Sequence, residues 1–146
     1  MRLGISEVLE LVSKESSKQA KIELLRKHYT PALAQFVRAA LDPVFEWDLP
    51  PGTPPYKPNP YPGQENNLMQ EVRKLYLFFK GGNPNLSKVK REYLFIQMLE
   101  SISPKDAELL VAAKDKKLPY KGLTVKLFNE AYPNLIQEDN NGKNVS

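Results

Sequence analysis

Residues 30–41, TPALAQFVRAAL, decide the fold class of this chain. Thr30 places a hydroxyl before Pro31, a pair typical of a helix N-cap followed by proline at the first helical position. Apolar residues then recur on one stripe at Leu33, Phe36, Val37, Ala40 and Leu41. Asp42 ends the helix, because the residue before a proline is pushed out of the helical region. The stretch predicts an amphipathic helix with one buried face.

The same spacing recurs on both sides of this helix. Stripes beginning at Ile5 and Ile22 predict two short helices before it, and a stripe from Leu68 to Phe79 predicts a fourth after Gln64. The caps predicted for three further helices are Ser87, Ser103 and Thr124. No run alternates with period two over the length of a strand. We therefore predict an all-α, single-domain bundle of about seven short helices over residues 1–136, with a flexible polar tail at 137–146.

A proline-rich segment separates the third helix from the fourth. Residues 42–63, DPVFEWDLPPGTPPYKPNPYPG, hold eight of the thirteen prolines and the only tryptophan. This density excludes a helix or a central strand, so we predict an extended strap. Its aromatic residues either hold the strap against the bundle or form a groove-binding ligand for a protein partner, and the sequence leaves both open. These residues are Phe45, Trp47, Tyr56 and Tyr61.

Composition excludes several kinds of chemistry. The chain has no cysteine, so disulfides, thiol nucleophiles and cysteine-rich zinc sites are excluded. The single His28 has no partner histidine, which argues against a histidine-based metal site or acyl-transfer triad. No phosphate-binding Walker loop is present. We expect a non-catalytic protein without metal or cofactor, and, since neither a bilayer-spanning run nor a secretory signal is visible, a cytoplasmic one.

The positive charge of the chain is unevenly distributed. The net charge is +4, and residues 64–135 carry twelve Lys/Arg against eight Asp/Glu, whereas residues 1–63 carry eight against seven. The excess in the second half suits a polyanion such as nucleic acid, although a solvated basic face without a partner is the alternative.

Lysines concentrate at one turn. Residues 114–126 contain five lysines and a single acid, and they surround the turn Pro119–Gly122 that opens onto a helix. A helix start exposes backbone amides, and glycine lets a phosphate approach the backbone. The pattern predicts phosphate contacts at Lys116, Lys117, Lys121, Gly122, Thr124 and Lys126.

A second turn, residues 80–91, KGGNPNLSKVKR, has the same composition. Its glycines precede a serine-capped, cationic helix start. Lys88, Lys90 and Arg91 at this start are predicted to assist the first turn in binding DNA. The structural alternative is that glycine ends helices and serine caps them routinely.

Three stretches of the C-terminal sequence resemble a known protein family. Residues 106–110, DAELL, then Gly122-Leu123-Thr124, and finally residues 128–136, FNEAYPNLI, resemble the N-terminal DNA-binding domain of ATP-dependent DNA ligases, especially those of tailed phages. The likeness covers roughly residues 5–136. It implies an all-helical domain that holds duplex DNA through minor-groove and backbone contacts. The contacts it implies are at Lys117, Gly122, Leu123 and Thr124, and at Asn85, Ser87 and Lys88.

The sealing chemistry of ligases is not expected here. Their nucleophilic lysine lies in a Lys-x-Asp-Gly tetrapeptide, which this sequence lacks. We therefore expect a non-catalytic, phage-encoded accessory protein that binds duplex DNA with little sequence preference, at replicating or packaged DNA in the host cytoplasm. The alternative is a protein adaptor or virion component that uses the aromatic strap.

Overall fold

The computed structural model describes residues 3–61 and 67–137, and within them it is all-helical, as predicted. The α-helices are α1 (Ile5–Ser13), α2 (Lys18–Lys27), α3 (Pro31–Leu41), α4 (Asn67–Glu71), α5 (Lys88–Ser101), α6 (Pro104–Lys114) and α7 (Val125–Ala131), and a 3₁₀ helix spans Val72–Phe78. The end of the predicted strap at 62–63, the predicted helix start after Gln64 and the predicted tail beyond residue 137 lie outside the described residues. None of the described helices is long and apolar enough to cross a membrane.

Side-chain oxygens cap five of these helices. In each, the hydroxyl accepts a hydrogen bond from the backbone N–H three residues later, at 3.0 or 3.1 Å. The capping residues are Ser17, Thr30, Ser87, Ser103 and Thr124. Each bond satisfies an amide that has no partner inside its helix, and this confirms the predicted helix starts.

Helix α6 lies at the centre of the bundle. It packs against α1, α3 and α5, while α2 packs against α1 and α7. The largest fully buried side chains include Phe36, Phe78, Phe95 and Phe128, which belong to four different elements. Burial of such a side chain contributes about 1.5–3 kcal/mol, so one shared core holds the elements together.

The strap is fastened to the bundle by its first half. Trp47 and Phe79 form an antiparallel bridge, which Asp48 N flanks by donating to the Phe78 carbonyl at 2.7 Å. The Trp47 indole is only 9% exposed and donates to the Ala39 carbonyl at 2.9 Å. Trp47 is therefore part of the core, which corrects its assignment as a partner-binding residue.

The other strap aromatics divide between packing and exposure. Phe45 is half-buried and its ring centroid lies 5.2 Å from that of Phe79. Tyr56 is also half-buried, and burial raises the pKa of its hydroxyl. Tyr61 alone is 70% exposed. The aromatic set therefore serves chiefly to hold the strap down.

Helix α5 is rotated relative to its predicted orientation. A stripe of apolar residues in the sequence predicts an inward face formed by Val89, Tyr93, Ile96 and Leu99. Leu99 is buried as predicted, but Val89 is 79% exposed and Tyr93 is also exposed. The buried side of the helix instead carries Arg91, Phe95 and Met98. Phe95 packs edge-on against Phe78 with ring centroids 5.2 Å apart, so contact with the 3₁₀ helix determines the rotation.

Candidate nucleic-acid interface

The lysine-rich turn alternates between inward and outward side chains. Leu118 and Tyr120 are partly buried against the core, whereas Lys117 and Lys121 are exposed. Burial, followed by the nearby Glu10, raises the pKa of the Tyr120 hydroxyl, so this ring stays neutral at physiological pH. Leu123 is buried as well. The apolar residues anchor the turn, and the two lysines are held outward.

Lys116 has a structural role instead of an exposed one. Its backbone adopts a left-handed conformation with φ 64°, and its ammonium donates to the carbonyls of Ala39, Asp42 and Phe45 at 3.1, 2.7 and 2.9 Å. These are carbonyls at and just beyond the end of α3, which have no partner within the helix. Burial lowers the pKa of Lys116 from its ordinary value. All three protons are used, which corrects the assignment of Lys116 to phosphate binding. The side chain of Leu123 is buried, so a DNA contact at this residue is limited to its backbone.

Gly122 brings a lysine from α2 to the turn. Its φ is +76°, a left-handed conformation that favours glycine, and a Cβ at this position would lie 3.3 Å from Cε of Lys21. The Lys21 ammonium donates to the Glu15 carbonyl at 2.6 Å, and its remaining protons are free for an anion. The Lys21 side chain therefore lies beside the turn, although Lys21 is about a hundred residues away in sequence.

The lysine corner consists of Lys21, Lys117, Lys121 and Lys126. The side chains of Lys117, Lys121 and Lys126 are exposed and make no hydrogen bond or ion pair within the described residues. Thr124 is exposed but uses its hydroxyl oxygen to cap α7 through Leu127 N at 3.1 Å. The ammonium groups of Lys117, Lys121 and Lys126 are therefore available to a ligand without breaking any contact within the described residues.

The second turn contributes fewer free cations than predicted. Arg91 is 8% exposed: it donates to the Leu86 carbonyl at 2.8 Å and pairs with Asp48 at 3.3 Å. Arg91 therefore joins the turn to the strap, which corrects its assignment as a DNA contact. Lys88 and Lys90 are exposed, and the Lys90 ammonium lies 5.3 Å from the centroid of the Tyr93 ring.

The polar residues of this turn shape its backbone. Asn85 is exposed and its backbone N–H donates to the Asn83 side chain at 3.2 Å, while Ser87 caps α5. Gly82 is required for packing, because a Cβ there would lie 1.8 Å from the carbonyl oxygen of Tyr76. Asn85 and Ser87 remain accessible, but their visible role is local.

The strap connects the two turns. Phe45 accepts a hydrogen bond from Lys116 in the first turn, and Asp48 pairs with Arg91 in the second. The intervening Glu46 is exposed and pairs with Lys80 at 3.4 Å. Because two acids stand on this connection, the basic surface is not continuous from one turn to the other. The lysine corner is the stronger candidate for binding a polyanion.

Sequence reasoning missed Lys21 as a member of the site. Its helix carries four basic residues against one acid, but no sequence pattern links α2 to Gly122. The only local signal was the absence of a side chain at Gly122, which permits the close approach of Lys21.

Comparisons with known proteins identify a family without assigning a function. No curated protein and no solved structure matches the chain. Neither finding relates it to DNA ligases, so that resemblance stays a prediction. A family model described as a family of unknown function, DUF6433, matches residues 8–120, and the chain belongs to this family.

Proposed function

We propose that this protein is a non-catalytic DNA-binding protein whose lysine corner contacts the phosphate backbone of duplex DNA. One observation carries the proposal: Lys117 and Lys121 are exposed and unpaired on a turn that Leu118, Tyr120 and Leu123 anchor in the core. Anchoring fixes the backbone before binding, so less conformational entropy is lost when a phosphate is bound.

Backbone contacts of this kind give affinity without sequence preference. Each ammonium that neutralises a phosphate releases condensed counterions from the duplex, and this favours binding whatever the base sequence. The corner has no aromatic side chain exposed for stacking, since Tyr120 is turned toward the core. A duplex therefore suits this surface better than a single strand, whose bases bind by stacking on aromatic rings.

The ligase resemblance supports the same surface. It assigns DNA contacts to Lys117, Gly122 and Thr124, which lie in or beside the corner. We propose an accessory role at replicating or packaged phage DNA, in which the protein marks or protects duplex without joining it.

The test is fluorescence anisotropy with a labelled 20-base-pair duplex. Lys117→Glu with Lys121→Glu is expected to weaken binding at least tenfold, and to do so equally for unrelated sequences. Lys57→Glu with Lys74→Glu changes the net charge by the same amount on the strap and the 3₁₀ helix, and serves as the matched control. Equal losses in both double variants, or none in either, would refute binding at the lysine corner.

A further inference from the structure

An open groove runs between α3 and the 3₁₀ helix, away from the residues of the lysine corner. One part, of about 250 Å³, has a floor formed by Ala39, Val72, Leu75 and Phe79. A second part, of about 440 Å³, continues it past Ala32. Gln35, Val72 and Arg73 line both parts, so they form one elongated trough.

The groove has the length of a short peptide segment. Ala32, Gln35 and Ala39 follow one another along α3 at successive turns. At a rise of 1.5 Å per residue this face spans roughly 10 Å, and Phe45 extends it further. A cavity of this volume over an apolar floor accommodates one large apolar side chain.

Two guanidinium groups stand over this floor with unused hydrogen-bonding capacity. Arg73 is exposed and has no partner among the described residues. Arg38 is 40% exposed, its guanidinium carbon lies 5.0 Å from the centroid of the Phe45 ring, and its buried Nε has no acceptor. Stacking on Phe45 fixes the Arg38 guanidinium without satisfying its donors.

Among the described residues, no acid lines the groove itself. Asp42, at the groove's edge, approaches Arg38 at only 3.5 Å, and its carboxylate already accepts from the backbone N–H groups of Val44 and Gln137, each at 3.0 Å. Glu71 pairs with Lys74 at 3.3 Å. Asp42 therefore compensates the charge of Arg38 only in part, and Arg73 has no acid partner among the described residues.

We propose that this groove docks an acidic segment of a partner protein, with a large apolar side chain on the floor and flanking carboxylates on Arg38 and Arg73. Carboxylates match the planar fork of a guanidinium and form two parallel hydrogen bonds with it. The apolar floor favours a peptide side chain over a phosphate-bearing strand. Tyr76, exposed at the rim, and Gln35 supply further donors for the peptide backbone.

The proposal is tested with a random 12-residue peptide library displayed on phage and selected on the purified chain. We expect selected peptides to carry an excess of Asp and Glu beside an aromatic or long aliphatic residue. Arg73→Glu is expected to weaken binding of the best synthetic peptide at least tenfold, because it replaces a charge-assisted hydrogen bond with repulsion between two carboxylates. Lys117→Glu with Lys121→Glu is expected to leave peptide binding unchanged, which separates this proposal from DNA binding.

Four outcomes would overturn the proposal. The first is a set of selected peptides without acidic enrichment, and the second is equal peptide binding by wild type and Arg73→Glu. The third is displacement of the peptide by a twelve-nucleotide single strand whose own binding depends on Arg73, and the fourth is occupation of the groove by this protein itself. A chain ending at Gln137 that binds peptide several-fold more tightly would assign the groove to residues 138–146. An oligomer that dissociates on Arg73→Glu would assign it to a second copy.

Discussion

The ammonium nitrogen of Lys116 lies 2.7 Å from the backbone carbonyl oxygen of Asp42, whereas the ammonium of Lys117, the next residue, has no partner among the described residues. Two adjacent lysines of one basic run therefore have different roles. The first closes the end of α3 and holds the strap, and the second is available to a ligand. Substitution of Lys116 is therefore expected to change stability, and substitution of Lys117 is expected to change binding.

Lys116→Met is expected to destabilise the fold by about 1–3 kcal/mol, because it retains the apolar stem but removes the ammonium that joins three carbonyls. The Ala39 and Asp42 carbonyls keep a second donor, whereas that of Phe45 loses the ammonium as its donor. Lys117→Met is the matched control and should stay within about 0.5 kcal/mol of wild type. Urea unfolding measures both. Equal stability of the two variants would contradict the structural role of Lys116.

Trp47→Ala is expected to cost about 3–5 kcal/mol, because it empties a core position where the indole packs edge-on against Phe79 and Phe95. The exposed Tyr61 supplies the control, since Tyr61→Ala should have little effect. Thermal unfolding followed by circular dichroism distinguishes the two. A Trp47→Ala protein as stable as wild type would show that the strap is not part of the core.

Gly82→Ala is expected to destabilise the protein by about 3 kcal/mol, because the added methyl would overlap the backbone carbonyl oxygen of Tyr76 at 1.8 Å. Gly81→Ala meets open space and costs about 1 kcal/mol, from its left-handed φ of +80° alone. The urea midpoints of the two variants should differ in this order. The reverse order would contradict the close approach of Gly82 to the Tyr76 carbonyl.

Asp106 makes stability depend on pH in an unusual direction. Its side chain is fully buried, and burial raises the pKa of the carboxyl above 3.8 although Ser6 N donates to it at 3.2 Å. The folded state therefore binds this proton more readily than the unfolded chain. As pH falls from 7 toward 4, the free energy of unfolding of wild type should improve relative to that of Asp106→Asn.

Urea unfolding at pH 7, 5.5 and 4.5 checks this comparison. Glu108→Gln removes a carboxylate from the exposed side of the same helix and serves as the control. A difference between wild type and Asp106→Asn that is constant with pH, or that moves against wild type on acidification, would show that folding does not raise the pKa of Asp106.

Local patterns were sufficient to predict most of the fold. Thr30 before Pro31 and the stripe behind it predicted α3, and each predicted hydroxyl cap is present. Helix α5 shows where local patterns are insufficient, because apolar residues lie on more than one side of this helix. Only contact with Phe78 and the pairing of Arg91 with Asp48 select the buried side. A sequence stripe cannot contain that information, since both partners come from other elements.

The candidate site was predictable in composition but not in the role of each residue. The run of lysines at 114–126 identified the surface, yet nothing local distinguished Lys116 from Lys117. That difference depends on carbonyls at and just beyond the end of α3, more than seventy residues earlier. Lys21 and the α3 groove depend likewise on how distant helices pack. Tertiary contacts decide which cations are free.

The salt dependence of duplex binding tests the central claim most directly. With Lys21, Lys117, Lys121 and Lys126 on phosphates, the logarithm of the association constant should fall against the logarithm of salt concentration with a slope of about −3 to −4. Lys117→Met and Lys121→Met should each reduce that slope by about 1, whereas Lys88→Met should leave it unchanged. A slope near zero for wild type, or one unaffected by both corner variants, would contradict the account.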